Sequence, residues 1–439
     1  MYVVRAVYAV AAATLVGALV TIASNISFAD QFIPGDVVVY RIGDGSSLLA
    51  NTGGAVFLDE YSPSGILVQS IALPSVASGA NQPLIASGTA VSEGMLTLST
   101  DGRYLLLTGY ATTLPASGSL SSTAGAMVPR TVGRVGFDGS VDTSTALADF
   151  ADGNNPRSAV STDGTQLWLG GAAGGVRYTT LGSTSSTELS TDSKNIRQVN
   201  IFDGQLYIST QKGALRVATV GTGIPTTAGQ SITNLPGFPV TGTPDAFVFA
   251  DLDGAPGVDT LYVADDTTAG GQIQKYTLLG GNWVASGTID AANVHGLTGV
   301  VSGTAVTLYA TTSGIDGTSG TLYTFTDTSG YDGNASGAVN TLATALTNEA
   351  FRGLAMAPVG AVLPTPTPMP TPTPTSGSLA CVGDCSGSGE VSVNDLITMV
   401  NIALGSSPLS VCVAGDADKS GEITINEIIA AINNALNGC

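Results

Sequence analysis

Two copies of one loop-and-helix unit near the end of the chain restrict its fold more than any other feature. Asp384-Cys-Ser-Gly-Ser-Gly-Glu-Val-Ser-Val-Asn-Asp395 leads into an apolar segment, and Asp416-Ala-Asp-Lys-Ser-Gly-Glu-Ile-Thr-Ile-Asn-Glu427 leads into a second. A constant offset of 32 residues sets Asp395 on Glu427, Leu396 on Ile428, Val400 on Ile432 and Leu404 on Leu436. Each loop offers oxygen donors at the spacing a calcium ion requires, with glycine at the sixth position for the sharp turn. In the first loop the expected ligands are Asp384, Ser386, Ser388 and Asp395, with the Glu390 carbonyl and Ser392 acting through water. In the second they are Asp416, Asp418, Ser420 and Glu427, with the Glu422 carbonyl and Thr424. Calcium prefers oxygen donors, and neither loop contains histidine. The second loop has the stronger set, because Ser386 and Ser388 take the place of carboxylates in the first. The plainer alternative is a pair of Asp/Gly turns that only cap helices. Two complete loops in register favour calcium, two ions in all.

These loops resemble a type I dockerin domain, a pair of F-hand repeats in which a calcium loop is followed by an exiting helix. The resemblance spans Cys381 to Cys439. It implies a small helical domain that folds around calcium and plugs into a cohesin-like module or a cell-surface protein, in a setting of polysaccharide breakdown. It also implies that loop positions ten and eleven, here Val393, Asn394, Ile425 and Asn426, face the partner. Dockerins of cellulosomes often carry hydroxyl residues there, so the expected partner departs from the standard cohesin.

All four cysteines, Cys381, Cys385, Cys412 and Cys439, lie in or beside this segment. A core this small needs metal or covalent staples, so a structural role is expected. Of the three possible pairings, the favoured one joins Cys381 with Cys412, both just ahead of a loop, and Cys385 with Cys439.

The chain has 439 residues, enough for two or three domains. A formal charge of -19 with only 14 Lys and Arg argues against a nucleic-acid partner. Charged residues make up 11% while glycines number 57, which fits a turn-rich exported β protein better than an acidic disordered one. Residues 1–29 read as a secretory signal: Arg5, an apolar run from Ala6 to Ala23, then Ser27-Phe28-Ala29 before a cleavage point. An uncleaved anchor is the alternative. After cleavage no membrane span is expected, and export to an oxidising compartment suits disulfides.

Residues 30–362 consist of short β-runs between Gly, Asp, Ser and Thr turns. One phrase recurs: Arg103-Tyr-Leu-Leu-Leu-Thr108, Gln166-Leu-Trp-Leu-Gly170, Gln205-Leu-Tyr-Ile-Ser209, Thr260-Leu-Tyr-Val-Ala264 and Thr307-Leu-Tyr-Ala-Thr311. Most copies are followed by a second phrase, as in Gly213-Ala-Leu-Arg-Val217 and Gly320-Thr-Leu-Tyr-Thr324. Spacings of 39 to 62 residues match a blade of three or four strands. The expectation is a mainly β chain with a β-propeller of six or seven blades, seven preferred, similar in repeat style to secreted propeller proteins; a β-helix or paired sandwiches is the alternative. Residues 363–379, rich in Pro-Thr, form a stiff polyproline spacer ahead of the calcium-loop domain at 380–439.

His295 is the only histidine, and residues 30–362 contain no cysteine, so histidine triads and thiol nucleophiles are excluded there. His295 reads as a packed or surface residue. Asp265 and Asp266 read as solvated turn residues. Asp251, Asp253 and Asp259 resemble an irregular calcium loop but read better as an Asp-Gly turn. Trp168 and Trp283 are candidates for stacking on a sugar ring, with core packing preferred for Trp168. Taken together, the sequence reads as a secreted modular protein. Its propeller binds or displays a ligand, with polysaccharide as one class, and its C-terminal module docks it to a partner. No catalytic residue stands out, and a non-enzymatic role is preferred. The alternative is an extracellular glycoside hydrolase or lyase with its site on the propeller, for which paired carboxylates would be needed.

Overall fold

The recurring phrase and its successor are neighbouring strands. Gln166–Gly171 pairs with Val176–Thr180, Gln205–Ser209 with Val217–Val220, Thr260–Asp265 with Gln272–Leu279, and Ala305–Thr312 with Thr321–Asp327. Each pair is flanked by one further strand on either side, giving separate four-stranded antiparallel sheets in chain order. Tight turns set the pairing. Asp203 and Gly204, with φ of 45° and 68°, join Val199–Phe202 to Gln205–Ser209, the left-handed two-residue turn that Asp-Gly favours.

The computed structural model describes residues 30–266, 272–313, 319–360 and 381–439. The expected signal segment and the Pro-Thr spacer fall outside these residues. Among the described residues no helix is long and apolar enough to cross a membrane. The chain divides into two compact units, Met1–Val362 and Leu363–Cys439.

The first unit is mainly β in a propeller arrangement. Its count of separate blades differs from the expected six or seven: among the described residues four sheets stand alone, and the other strands share one nine-stranded sheet. Within that sheet, Ala350–Met356, Val37–Ile42, Gly54–Tyr61 and Leu67–Ala72 form one antiparallel set. Thr97–Leu98, Tyr104–Tyr110, Arg130–Gly136 and Val141–Leu147 form another. The short strand Ile85–Ala86 pairs with Gly54–Tyr61 on one side and Tyr104–Tyr110 on the other, and so fuses the two sets. No sequence phrase marks a strand of two residues.

Closure comes from the ends of the unit. Ala350–Met356 pairs with Val37–Ile42, from Val37 opposite Met356 to Ile42 opposite Ala350, which removes two exposed edges. Arg41 reinforces this seam, with Nε 2.5 Å from Asp59 Oδ2 and Nη1 3.1 Å from Glu349 Oε1. The first strands of successive sheets meet around the axis. Gly353 N–H donates to Gly94 O, Met95 N–H to Arg157 O and Phe247 N–H to Gln198 Oε1, while Ser158 Oγ bonds Val199. Between adjacent sheets the apolar faces interdigitate: Val160, Trp168 and Val176 pack against Val199, Leu206 and Ile208. Such burial contributes about 25 cal/mol per Å² and is the main favourable term for the unit.

The second unit contains two helices, α1 at Val393–Ala403 and α2 at Ile425–Asn437. Their inner faces bury Met399, Ile402 and Ala431 with Val391, Ile423 and Cys412. The disulfides join Cys381 with Cys439 and Cys385 with Cys412, which corrects the expected pairing. The reason lies in how α2 returns to the start of the unit. Gly383 packs directly on Ala431, and Asn434 Nδ2 donates to Val382 O at 2.9 Å, so the end of α2 delivers Cys439 to Cys381. Cys385 is left beside the turn that precedes the second loop, 4.5 Å from Cys412 between Cα atoms.

Candidate functional site

The two loops of the C-terminal unit fold alike. Gly389 and Gly421 have φ of 87° and 89°, a backbone that side chains with Cβ rarely adopt, and each turns the chain at the sixth loop position. Asp384 Oδ2 accepts from Gly389 N–H at 2.7 Å, and Asp416 Oδ2 accepts from Gly421 N–H at 2.9 Å. Each last loop residue closes a capping box. Asp395 Oδ2 accepts from Ser392 N–H at 2.9 Å, and Glu427 Oε2 accepts from Thr424 N–H at 2.8 Å. The Gly389 N–H bond holds the Asp384 carboxyl below its ordinary range, and bonds from Ser392 do the same for Asp395. Bonds from Ser420 lower Asp418. Burial raises Glu427, but bonds from Thr424 and Ala417 outweigh it, leaving that carboxyl lowered as well. These four groups are therefore ionised well below neutral pH, the state in which carboxylates ligate a cation.

The second loop brings one oxygen each from Asp416, Asp418 and Glu427 within 4.8 Å of one another. Ser420 and the Glu422 carbonyl lie at the same turn, with Ser420 Oγ 3.2 Å from Glu422 O. This donor set fits calcium. The first loop has carboxylates at only two of the side-chain ligand positions, Asp384 and Asp395, and its Ser386 and Ser388 hydroxyls bond Asp384 and each other.

Beyond the loops, both helices expose an apolar stripe. Val393, Ile397 and Val400 on α1 and Leu404 at its C-cap correspond to Ile425, Ile429, Ile432 and Leu436 on α2, and all eight are 40 to 76% exposed. Val393 and Ile425, two of the four expected partner-facing residues, begin these stripes; Asn394 and Asn426 stand next to them and are also exposed. The helical spacing of the stripes was readable in the sequence, but periodicity alone does not tell an exposed stripe from a buried one.

In the first unit, charge collects where the innermost strands begin. Arg157, Asp245, His295 and Arg352 lie at the start of strands that line the axis, and Glu93 and Arg197 just ahead of two others. Burial raises Glu93 to about 7, against a lowering influence from Arg352. Burial also lowers Arg157 to about 9, with Arg197 adding like-charge repulsion, and lowers Arg352 to about 10. Asp245 is fully buried, with Oδ1 3.4 Å from Arg197 Nη1 and Oδ2 2.8 Å from His295 Nδ1. Both contacts have ion-pair distance yet poor hydrogen-bond angles, so neither Asp245 oxygen receives a directed hydrogen bond. Burial, then the Asp245 charge, raises the Asp266 carboxyl. Further along the axis a cavity of about 220 Å³ is lined by Thr97, Gln198, Phe247, Leu297 and Leu354.

His295 is packed, one of the two readings given above, as a buried partner of Asp245, whereas Asp265 and Asp266 are not solvated turn residues. Asp265 is 5% exposed and accepts from Thr243 N–H at 3.1 Å, while Asp266 bonds the Thr243 hydroxyl. One signal for the ring was available: His295-Gly-Leu and Arg352-Gly-Leu are the same phrase at equivalent strand starts. Asp251, Asp253 and Asp259 do approach one another, but Asp259 Oδ2 accepts from the Leu252 and Asp253 amides at 2.9 and 2.7 Å, as in a turn. Trp168 is buried and donates to Pro225 O at 2.7 Å, and Trp283 is buried against Phe249. Neither presents a face to a sugar.

No family model matches the chain, and no curated relative matches it. Among solved structures it is similar to TolB from Acinetobacter baumannii, at 10% identity over 74% of this chain and 67% of that one, with a TM-score of 0.42. It is similar to the periplasmic gluconolactonase of Pseudomonas aeruginosa at 14% identity, covering 71% and 82% of the two chains, with a TM-score of 0.38. For the GH74 enzyme of Niastella koreensis the figures are 14%, 72%, 46% and 0.39. At these levels the likenesses carry no inference about what this chain binds or does.

Proposed function

We propose that this chain is an exported modular protein whose propeller binds or displays a ligand. Its C-terminal unit is a dockerin-like module that docks to a cohesin-type or cell-surface partner when calcium is bound, in a polysaccharide-related setting. Calcium would be held by Asp416, Asp418, Ser420, Glu427 and the Glu422 carbonyl, and more weakly by Asp384, Ser386, Ser388, Asp395 and the Glu390 carbonyl, with Ser392 and Thr424 through water. The ion's part is to fix each loop against its helix, which sets the direction of the apolar stripe. In the propeller, the nine-stranded sheet is read as two blades fused through Ile85–Ala86, for a total of six.

The observation that carries the docking reading is the pair of exposed stripes. Eight large apolar side chains at matching positions of two helices are an unusual load for so small a unit to leave in water. A partner that covers either stripe gains its burial, and the duplication offers the same four-residue pattern twice. Glycoside hydrolysis needs two carboxylates accessible to a sugar. The converging pair Asp245 and Asp266 suits this poorly, since Asp245 is fully buried between Arg197 and His295.

The test is capture of surface proteins from the producing cells by the full chain, once with calcium and once with chelator. Partner recovery with calcium and its loss with chelator is the expected result. Equal recovery in both, or loss of nothing when Ile429 and Ile397 are changed to Glu together, defeats the reading.

A further inference from the structure

We infer that Asp245, Asp266 and His295 form a divalent-cation site of mixed oxygen and nitrogen donors, of the class zinc occupies, beside the axis of the propeller. The three residues come from two adjacent sheets. Asp245 lies on the first strand of one sheet, Asp266 just after its second strand, and His295 on the first strand of the next. One donor atom from each lies within 4.8 Å of the others. Ligand bonds of about 2 Å hold neighbouring donors about 3 Å apart, so little movement is needed to close around an ion.

The second observation is what these donors lack. Asp245 is 0% exposed and His295 7%, yet both Asp245 oxygens and His295 Nδ1 are without a directed hydrogen bond. Nδ1 and Oδ2 stand 2.8 Å apart but off the axis on which an imidazole N–H would donate. Two buried donors that crowd without aiming at each other are placed as ligands of a shared third atom. Two guanidinium groups, Arg197 at 3.4 Å and Arg157 beyond it, also face Asp245 and help to keep a carboxylate in this buried place. Asp266 is only partly buried, which gives access from solvent. Three protein donors leave a coordination position for water or for an oxygen atom of a bound molecule.

The single histidine makes the test specific. The full chain, labelled with ¹⁵N-histidine and held in saturating calcium so that the C-terminal loops are not titrated, receives zinc chloride while the imidazole signals are followed by NMR. One equivalent of zinc is expected to shift them, and Asp266→Asn to weaken zinc binding at least tenfold in a chelator competition while the fold, checked by circular dichroism, is kept. Imidazole signals that stay in place at ten equivalents overturn the site and leave a plain His–Asp ion pair. A shift that persists with unchanged affinity in Asp266→Asn overturns the three-ligand assignment. Neither result depends on whether the C-terminal unit docks.

Discussion

Replacing Glu93 with Gln tests whether charge in the propeller's centre is held against its own burial. Glu93 is 2% exposed; Oε1 accepts from Ser87 N–H at 3.1 Å, and Tyr110 and Asn155 face the carboxyl and, like Arg352, favour its charged form. Burial raises the carboxyl from 4.5 to about 7, even with Arg352 pulling it down. In the unfolded chain the group titrates near its ordinary value. The folded state therefore binds the proton more tightly, and the stability this gives is complete below about 4.5 and is lost as pH rises through about 7. At about 1.4 kcal/mol per pKa unit the loss is at most about 3 kcal/mol. The substituted amide keeps the shape of the side chain and cannot ionise, so Glu93→Gln should match the parent at pH 4.5 and exceed it by up to about 3 kcal/mol at pH 8. Urea unfolding followed by tryptophan fluorescence measures this directly, because both tryptophans, Trp168 and Trp283, lie in the propeller. Parallel pH profiles for the two proteins, or a variant weaker at pH 8, would refute the burial argument.

Three further outcomes follow from particular contacts. Arg41→Met strands Asp59 and Glu349 at the seam that closes the ring, and should cost about 3–5 kcal/mol in the same urea assay, since one partner of a buried pair is left uncompensated. Removing the Cys385–Cys412 bridge with a double Ser variant releases a loop of sequence separation 27, worth about 3.5 kcal/mol by chain entropy; thermal melts of the variant should show the C-terminal helices lost at lower temperature, and more so in chelator. Gly421→Ala places a Cβ at φ of 89° with open space around it, so strain alone should destabilise the second loop by about 1–2 kcal/mol and weaken calcium binding by calorimetry, whereas an equal change at exposed Gly438 should leave calcium binding unaltered.

How much of this was legible depends on whether the signal is local. The Leu-Tyr phrases became second strands because alternation and Asp-Gly turns act over a few residues. The helix starts at Val393 and Ile425 were legible for the same reason, through Ser392 and Thr424 as caps with acidic partners three residues on. What escaped depends on distant neighbours. Ile85–Ala86 is too short to carry a pattern, yet it decides whether two strand sets are one sheet. The disulfide pairing turned on where α2 returns, which is fixed by Gly383 meeting Ala431 and not by the cysteines' positions relative to the loops.

The charged centre escaped for a related reason, and the reason bears on what it does. Along the chain, Glu93, Arg157, Arg197, Asp245, His295 and Arg352 are far apart, separated by whole sheets. Only ring closure gathers them, because the start of each sheet's first strand, or the residues just ahead of it, meets the same axis. A fold that needed only an apolar core could fill those positions with Val or Leu at less cost, since burying charge without full pairing is unfavourable. Here buried atoms of Asp245, His295, Arg157 and Arg197 lie without a directed hydrogen bond, while the apolar faces between sheets are packed in the ordinary way. Stability does not require that arrangement, and the cation proposed beside the axis would give Asp245 and His295 a shared partner.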